Sequence, residues 1–436
     1  MDTNRRVFQV KHKFMFAVAI ATAWFFLVCW INLSWIIQLS DVIGWFGSIS
    51  AISLIAIIPS FWYAFTIVSF LVDNRPEAKE PESYPSLTVL VAAYNEEKVI
   101  AHTLKTIQGQ DYPSRIEIIV IDDGSTDETM AILKSLPDKN IKVIAGQHQG
   151  KAASLNLGLA AVTTDLIITV DADTHLLPHS IKQIVRHLLS SLPDTAAVAG
   201  CVCVKNSRAS AMSKMQEWNY FNEITATKRL QSLYQGTLVA QGAFSIYRKA
   251  ALLAVGGFPL CLGEDIVLTW SLLEHNYRVG FAEQAYAFTD VPVTYKKLFY
   301  QRSRWMSGML EALFSHPKLL FKNRLSTMFI WWNLTIPFLD LGYALIFIPG
   351  VIAACFGYLY IVGPMTLSLV PLVILSNFIY YYRSNKLFEK NKLVVRKNVL
   401  GLLFYMFLYQ PVVSVPSALH GYYRFFFGRE RSWGTK

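Results

Sequence analysis

Three short acidic groups and one basic, aromatic group carry the reactive side chains of this sequence. Asp122 and Asp123 precede Gly124-Ser125, Asp171-Ala172-Asp173 closes an apolar run, and Glu264-Asp265 follows Gly263. Two carboxylates two residues apart can hold a divalent ion by oxygen ligation, and Mg2+ or Mn2+ on such oxygens keeps phosphates as co-ligands. Residues 300–305, YQRSRW, join an amide (Gln301), two permanent cations (Arg302 and Arg304) and an indole (Trp305). Guanidinium groups bind phosphate oxygens two at a time, and an indole face suits a sugar ring or a membrane boundary. Taken singly, each group has a plainer reading. D-A-D is a solvated turn, Asp122 and Asp123 cap a helix starting at Thr126, Tyr94 and Asn95 end a strand, and Lys151 is a helix-start lysine. Taken together, a flat ring (Tyr94), a base-reading carboxylate (Asp122), a metal pair (Asp171, Asp173) and cations (Lys151, Arg304) suit a nucleoside diphosphate from base to phosphate. Asp265 adds a carboxylate able to accept a proton from an incoming hydroxyl.

The elements that must position these groups follow from periodicity. LTVLVAA (87–93), IEIIVI (116–121) and LIITV (166–170) are short apolar runs that end at YNEE, DDGS and DADT. Helical patterns over 96–107, 126–136 and 151–161 separate them. Buried strands alternating with helices predict an α/β domain with a mostly parallel sheet covered on both faces, which binds ligands beyond the carboxyl ends of its strands. Three strands stopping at polar or acidic residues on that one edge describe a site. Downstream, the pattern predicts a helix over 179–192, a strand over 196–205, an amphipathic stretch over 209–230 and a helix from 263–265 to about 275. That last helix puts Glu264 and Asp265 near its N-terminus, where negative charge is tolerated.

Composition places the domain beside a membrane. Of 436 residues 53% are hydrophobic and only 16% charged, which is apolar-rich and charge-poor for a soluble chain. The net charge of +10 comes from basic residues flanking apolar runs, as the positive-inside rule expects, and no RNA- or DNA-binding motif occurs, so nucleic acid is not an expected partner. The five cysteines contain no C-x-x-C, so neither a disulfide framework nor a zinc site is expected; Cys201 and Cys203 read as small core residues on a strand. Apolar runs at 14–33, 42–72 (with Pro59 as a kink), 328–352 (with Asp340 near its middle), 362–382 and 399–422 (broken by Pro411 and Pro416) are candidate spans. Arg5, Arg6, Lys11 and Lys13 precede the first run, and the expected loop over 34–44 has no basic residue. The N-terminus and everything after Asp73 are therefore expected in the cytoplasm. The expected organisation is two transmembrane helices (1–72), a linker (73–86), the α/β domain (87–295), amphipathic interfacial helices carrying QRSRW (296–325), about three C-terminal transmembrane helices (326–423) and a basic tail (424–436).

The ordered set D-D-G-S, D-A-D, G-E-D and Q-R-S-R-W resembles that of the membrane-embedded, processive family 2 inverting glycosyltransferases, which include cellulose, chitin, hyaluronan and poly-N-acetylglucosamine synthases. The resemblance covers roughly residues 87–315. GEDIVLTWSLLEHNYRV is most similar to the bacterial poly-β-1,6-N-acetylglucosamine synthases; hyaluronan and Nod-factor chitin synthases usually have G-D-D-R where this chain has Glu264-Asp265-Ile266. The resemblance implies a GT-A, Rossmann-like mixed sheet inserted between transmembrane helices of the inner (plasma) membrane. It implies a UDP-sugar donor, UDP-GlcNAc, a growing polysaccharide acceptor, a Mg2+ or Mn2+ cofactor and accessory export subunits. Tyr94 would stack on uracil and Asp122 read its edge; Asp173, with Asp171 near, would hold the metal; Lys151 would lie near the phosphates. Asp265 would be the general base, and Arg304, with the metal, would stabilise the departing UDP. Gln301 and Trp305, with Glu264, would hold the acceptor end. Two rivals remain at this level: transfer of one sugar to a lipid by a non-processive enzyme, and a non-catalytic assembly subunit.

Overall fold

The structure, a computed structural model, describes residues 9–136, 140–362, 369–390 and 397–428. It divides into two compact units. One comprises residues 77–330 with 398–406 and the stretch from residue 420; the other comprises the segment up to residue 76 with 331–397 and 407–419.

The first unit is built on one eight-stranded sheet in the order β3-β2-β1-β4-β7-β6-β8-β5. Its strands are β1 Leu87–Ala93, β2 Ile116–Asp122, β3 Ile141–Ala145, β4 Leu166–Val170, β5 His175–Leu176, β6 Thr195–Val204, β7 Phe244–Arg248 and β8 Arg278–Thr289. β1, β2, β3 and β4 run parallel; β7 is antiparallel to β4 and β6; β8 is parallel to β6. This is a GT-A-like mixed sheet. The parallel half matches the sequence expectation. β3, β5, β7 and β8 were not expected: β3 is half exposed and short, and β8 mixes buried and half-buried residues without a regular period. Among the described strands β7 and β5 run against the other six.

β1, β2 and β4 are continuous apolar runs because both faces are covered. Leu87, Val89, Val91, Ile118, Val120, Ile168 and Val170 join Ile100, Leu104 and Ile107 of the helix Ile100–Gln108 and Ile181, Ile184 and Leu188 of the helix Ser180–Ser190 in one buried cluster. In order, the first unit's helices that bear on the site are αA Lys151–Ala160, αB Ala211–Asn219, αC Glu264–Glu274 and αD Tyr295–Ser315. αB runs through a π-turn, Tyr220–Ala226, into Thr227–Leu233. The amphipathic stretch expected over 209–230 is thus helical and interrupted by a wider turn.

In the second unit and its continuations, four helices are long and apolar enough to cross a membrane among the described residues: Val10–Ile31, Leu33–Leu71, Thr327–Cys355 and Val399–Phe427. The expected loop over 34–44 is helical instead. WIIQL continues a helix without a breaker, and only Gly44, at φ 76°, interrupts it. A π-turn at Ser53–Ile57 directly precedes Pro59, absorbing the missing N–H and the ring. The span expected over 362–382 falls partly outside the described residues; its described part lies in the helix Leu369–Lys390, whose second half is charged. Asp340 is buried, 5% exposed. Arg5 and Arg6, the basic residues of 391–396 and the tail from 429 lie outside the described residues.

Candidate active site

The carboxyl ends of β1, β2 and β4 lie side by side, with Ala93 paired to Asp122 and Asp122 to Ala145. The residues just beyond them face one edge. Asn95 sits at φ 55° and Gly124 at φ 76°, so both turns leave the strands abruptly; Gly tolerates that geometry without strain.

Asp122 and Asp123 divide the work that the sequence had pooled. Asp123 is 2% exposed and accepts from the backbone N–H groups of Gln149 (3.1 Å) and Gly150 (2.9 Å) and from Ser154 Oγ (2.8 Å). Its carboxylate therefore ties down the loop that enters αA rather than capping a helix at Thr126. Asp122 Oδ2 accepts from the Ser125 N–H at 3.2 Å, while its Oδ1 is buried with no hydrogen-bond partner. Tyr94 stacks on His148, ring centroids 4.0 Å apart at 21°.

αA begins at Lys151, after Gly150 at φ 96°. Its ammonium is paired with Asp171 Oδ1 and lies 3.4 Å from Glu264 Oε1. Three residues far apart in sequence thus meet in one ion cluster. A Cβ on Gly242 would collide with the Lys151 ammonium, so glycine at that position makes room for it. Burial disfavours the Lys151 charge, but Asp171 and Glu264 outweigh it and raise its pKa. Burial raises the Glu264 pKa, with Lys151 and Arg304 pulling the other way and Asp265 adding to the rise. Asp173 lies two residues beyond Asp171, and Thr289 Oγ1 at the end of β8 donates to it at 3.3 Å.

αC carries Asp265 in its first turn, half-buried. Its approach to αD is fixed by a glycine pair. A Cβ on Gly263 would lie 2.6 Å from Gly308 Cα, and the Gly263 N–H donates to Glu311 Oε2 at 3.0 Å. On the other side αD is held by Ser303 Oγ against His420 Nδ1 (2.8 Å) and by Ser307 Oγ donating to the Gly421 carbonyl (2.9 Å). Held this way, αD presents Gln301, Arg304 and Trp305 on a helix rather than on a loop. Arg302 is 5% exposed and stacks over the Trp305 ring (3.9 Å) and the Tyr220 ring (5.7 Å). Gln301 Oε1, Arg302 Nε and Nη2 and Arg304 Nε are buried without hydrogen-bond partners.

The structure therefore brings Lys151, Asp171 and Glu264 into direct contact, with Asp265 and Arg304 acting on them electrostatically. It keeps Tyr94 and Asp122 at the neighbouring β1–β2 end. Four residues escaped the sequence reading. His148 and Tyr220 had no motif to announce them. Glu311 follows QRSRW by a helical spacing that could have signalled a shared face. Lys228 is a buried lysine whose pKa burial lowers to about 7, against the pull of Asp265; a lysine inside an amphipathic stretch was the available signal.

The strand ends of this α/β sheet thus gather carboxylates and an ammonium, and a guanidinium on αD acts on them. Residues 88–256 match the glycosyl transferase family 2 description. It is 30% identical over 265 residues to the poly-β-1,6-N-acetyl-D-glucosamine synthase of Staphylococcus aureus strain COL, covering 60% of this chain and 63% of that protein. It is 29% identical over 262 residues to the synthase of the same description from Staphylococcus epidermidis, covering 58% and 63%. The chain thus spans less than two thirds of the length of these relatives. A mannosyltransferase from Pyrobaculum calidifontis, solved with GDP-Man and Mn2+, shares the fold with a TM-score of 0.54 at 19% identity, covering 82% of this chain and 98% of that one.

Proposed function

We propose that the protein is an inverting glycosyltransferase of the plasma membrane, with its transferase domain on the cytoplasmic side. It uses a UDP-sugar, UDP-GlcNAc, to extend a β-linked polysaccharide and couples extension to export. The observation that carries this reading is the junction of αC and αD, where the Gly263–Gly308 contact holds the start of αC, which carries Asp265, against the helix that bears Arg304 and Trp305. The identity to poly-N-acetylglucosamine synthases supports the choice of sugar.

In this reading Tyr94 stacks on the base and the unpartnered Asp122 Oδ1 accepts its ring N–H. Among the described residues no three His, Cys, Asp or Glu side chains gather into a ready-made metal cage. Asp171 and Asp173 nonetheless fit a hard cation that takes the rest of its ligands from phosphate and water. Bound there, Mg2+ or Mn2+ supplies charge neutralisation on the leaving diphosphate. Lys151 gives up Asp171 and turns to the phosphates. Arg304, with an unpaired buried Nε, stabilises the charge that gathers on UDP. Gln301 and Trp305, with Glu264, hold the acceptor sugar, Trp305 by its ring face. Asp265 takes the proton from the acceptor hydroxyl as that oxygen bonds to the anomeric carbon. The bond from that carbon to the phosphate oxygen breaks on the opposite face, so an α-linked donor yields a β-glycoside. Residues 296–325 lie along the inner membrane surface, Asp340 lines the exit path of the polymer, and export subunits receive it.

The test is incubation of membranes containing the protein with UDP-GlcNAc, UDP-glucose or UDP-glucuronate separately, followed by sizing of the product. A polymer ladder from UDP-GlcNAc alone is the expected result. A single glycolipid product would make the enzyme non-processive, and no UDP release with any donor would remove the transferase reading.

A further inference from the structure

Tyr94 follows β1, and His148 lies between β3 and αA. β1 and β3 pair with opposite edges of β2, in the register Ala93, Asp122, Ala145. The Tyr94 and His148 rings therefore meet across the end of β2, and at 4.0 Å they leave no space for a third ring. Asp122, the last residue of β2, is 3% exposed, and its Oδ1 has no hydrogen-bond partner. A buried acceptor without a donor is costly, and a site that keeps one is built for a ligand that supplies the donor. His148 is itself held in place. Its Nδ1 lies 3.0 Å from Asp123 Oδ2, and Gly124 stands so close to its backbone that a Cβ there would lie 3.1 Å from the His148 backbone nitrogen. Yet its ring is largely open to solvent, 45% exposed, so it can leave Tyr94 without unpacking a core.

We propose that His148 is the second aromatic wall of the base slot: it rests on Tyr94 when the slot is empty, and rotates aside to sandwich the donor's base over Asp122. This deepens the nucleoside-diphosphate reading and rests on it. Either face of a flat base stacks on an aromatic ring, so two walls give affinity while Asp122 selects bases with a ring N–H donor, such as uracil. The His148–Asp123 hydrogen bond is the pivot. Because Asp123 also holds the N–H groups of Gln149 and Gly150, the wall is tied to the start of αA, where Lys151 awaits the phosphates.

The experiment titrates the full-length protein in detergent with UDP and GDP, comparing wild type, His148→Ala, His148→Phe and Tyr94→Ala, with thermal melting as the check on folding. His148→Ala should weaken UDP by about tenfold and His148→Phe should return it to within about threefold of wild type. The donor KM should rise with the dissociation constant and by more than kcat falls. Unchanged or tighter UDP binding by His148→Ala, with binding by Tyr94→Ala weakened, overturns the second wall and leaves the nucleotide reading standing. Failure of His148→Phe to restore affinity assigns the effect to the Asp123 link and overturns the stacking role. Failure of wild type to bind either nucleotide overturns both readings.

Discussion

At the ends of β1, β2 and β4 most charged groups meet a partner supplied by the fold. Lys151 meets Asp171 and Glu264, Asp123 is ringed by donors, and Tyr94 is covered by His148. On αD the opposite holds: Arg302 is buried between two rings with two N–H groups unpaired, and Gln301 and Arg304 each bury an unpaired atom. The strand ends are short loops on a fixed sheet, and neighbouring loops can supply a counter-charge. A helix face cannot bend to meet its own side chains, so αD keeps its polar atoms waiting. In the proposed reading the strand ends, which would take the donor, can exchange one set of partners for another, whereas αD gains hydrogen bonds when a ligand binds.

Four substitutions probe that difference. Asp265→Asn, at the boundary of the two regions, should cut sugar transfer by about a hundredfold to ten-thousandfold while UDP binding stays within about twofold, as loss of a general base requires; equal loss of binding would place Asp265 with the strand ends instead. Arg304→Lys should lower the rate by about tenfold to a hundredfold, since an ammonium cannot replace a planar fork. Radiolabelled-donor assays read both. Gly308→Ala places a Cβ 2.8 Å from Gly263 Cα, which should destabilise the fold by about 1–3 kcal/mol and displace αC from αD; denaturant melts check the first effect and kcat the second. Lys228→Met acts on stability alone and depends on pH. The Lys228 pKa falls from 10.5 to about 7 on folding, so its charge opposes folding fully below pH 7 and not at all once the unfolded lysine is neutral, above about pH 10.4. The methionine variant should therefore melt higher than wild type at pH 6, by an amount on the order of a few kcal/mol in stability, and the gain should fade as pH rises.

The parallel half of the sheet was legible because β1, β2 and β4 are buried on both faces and so are written as unbroken apolar runs. Their polar endings were legible for the same reason, as abrupt changes of texture. β8 was not, since a strand of mixed exposure spells neither an unbroken apolar run nor a clean alternation. The loop expected over 34–44 failed for a related reason: it was placed in the gap between two apolar runs, whereas backbone geometry is decided locally, and within Leu33–Ile52 Gly44 alone departs from the helix.

The sequence by itself determined which chemistries were available: the carboxylates after the strands, the cations and indole of QRSRW and the apolar lengths that suit a bilayer. These are properties of residue type and short-range period, and they survive without a fold. Tertiary structure decided who faces whom. That Lys151 lies between Asp171 and Glu264, that Asp123 holds the loop before αA while Asp122 keeps an oxygen unpaired, and that two glycines bring αC onto αD all depend on distances between segments up to more than 100 residues apart. Such distances are set by sheet order and helix packing, which local periodicity does not encode.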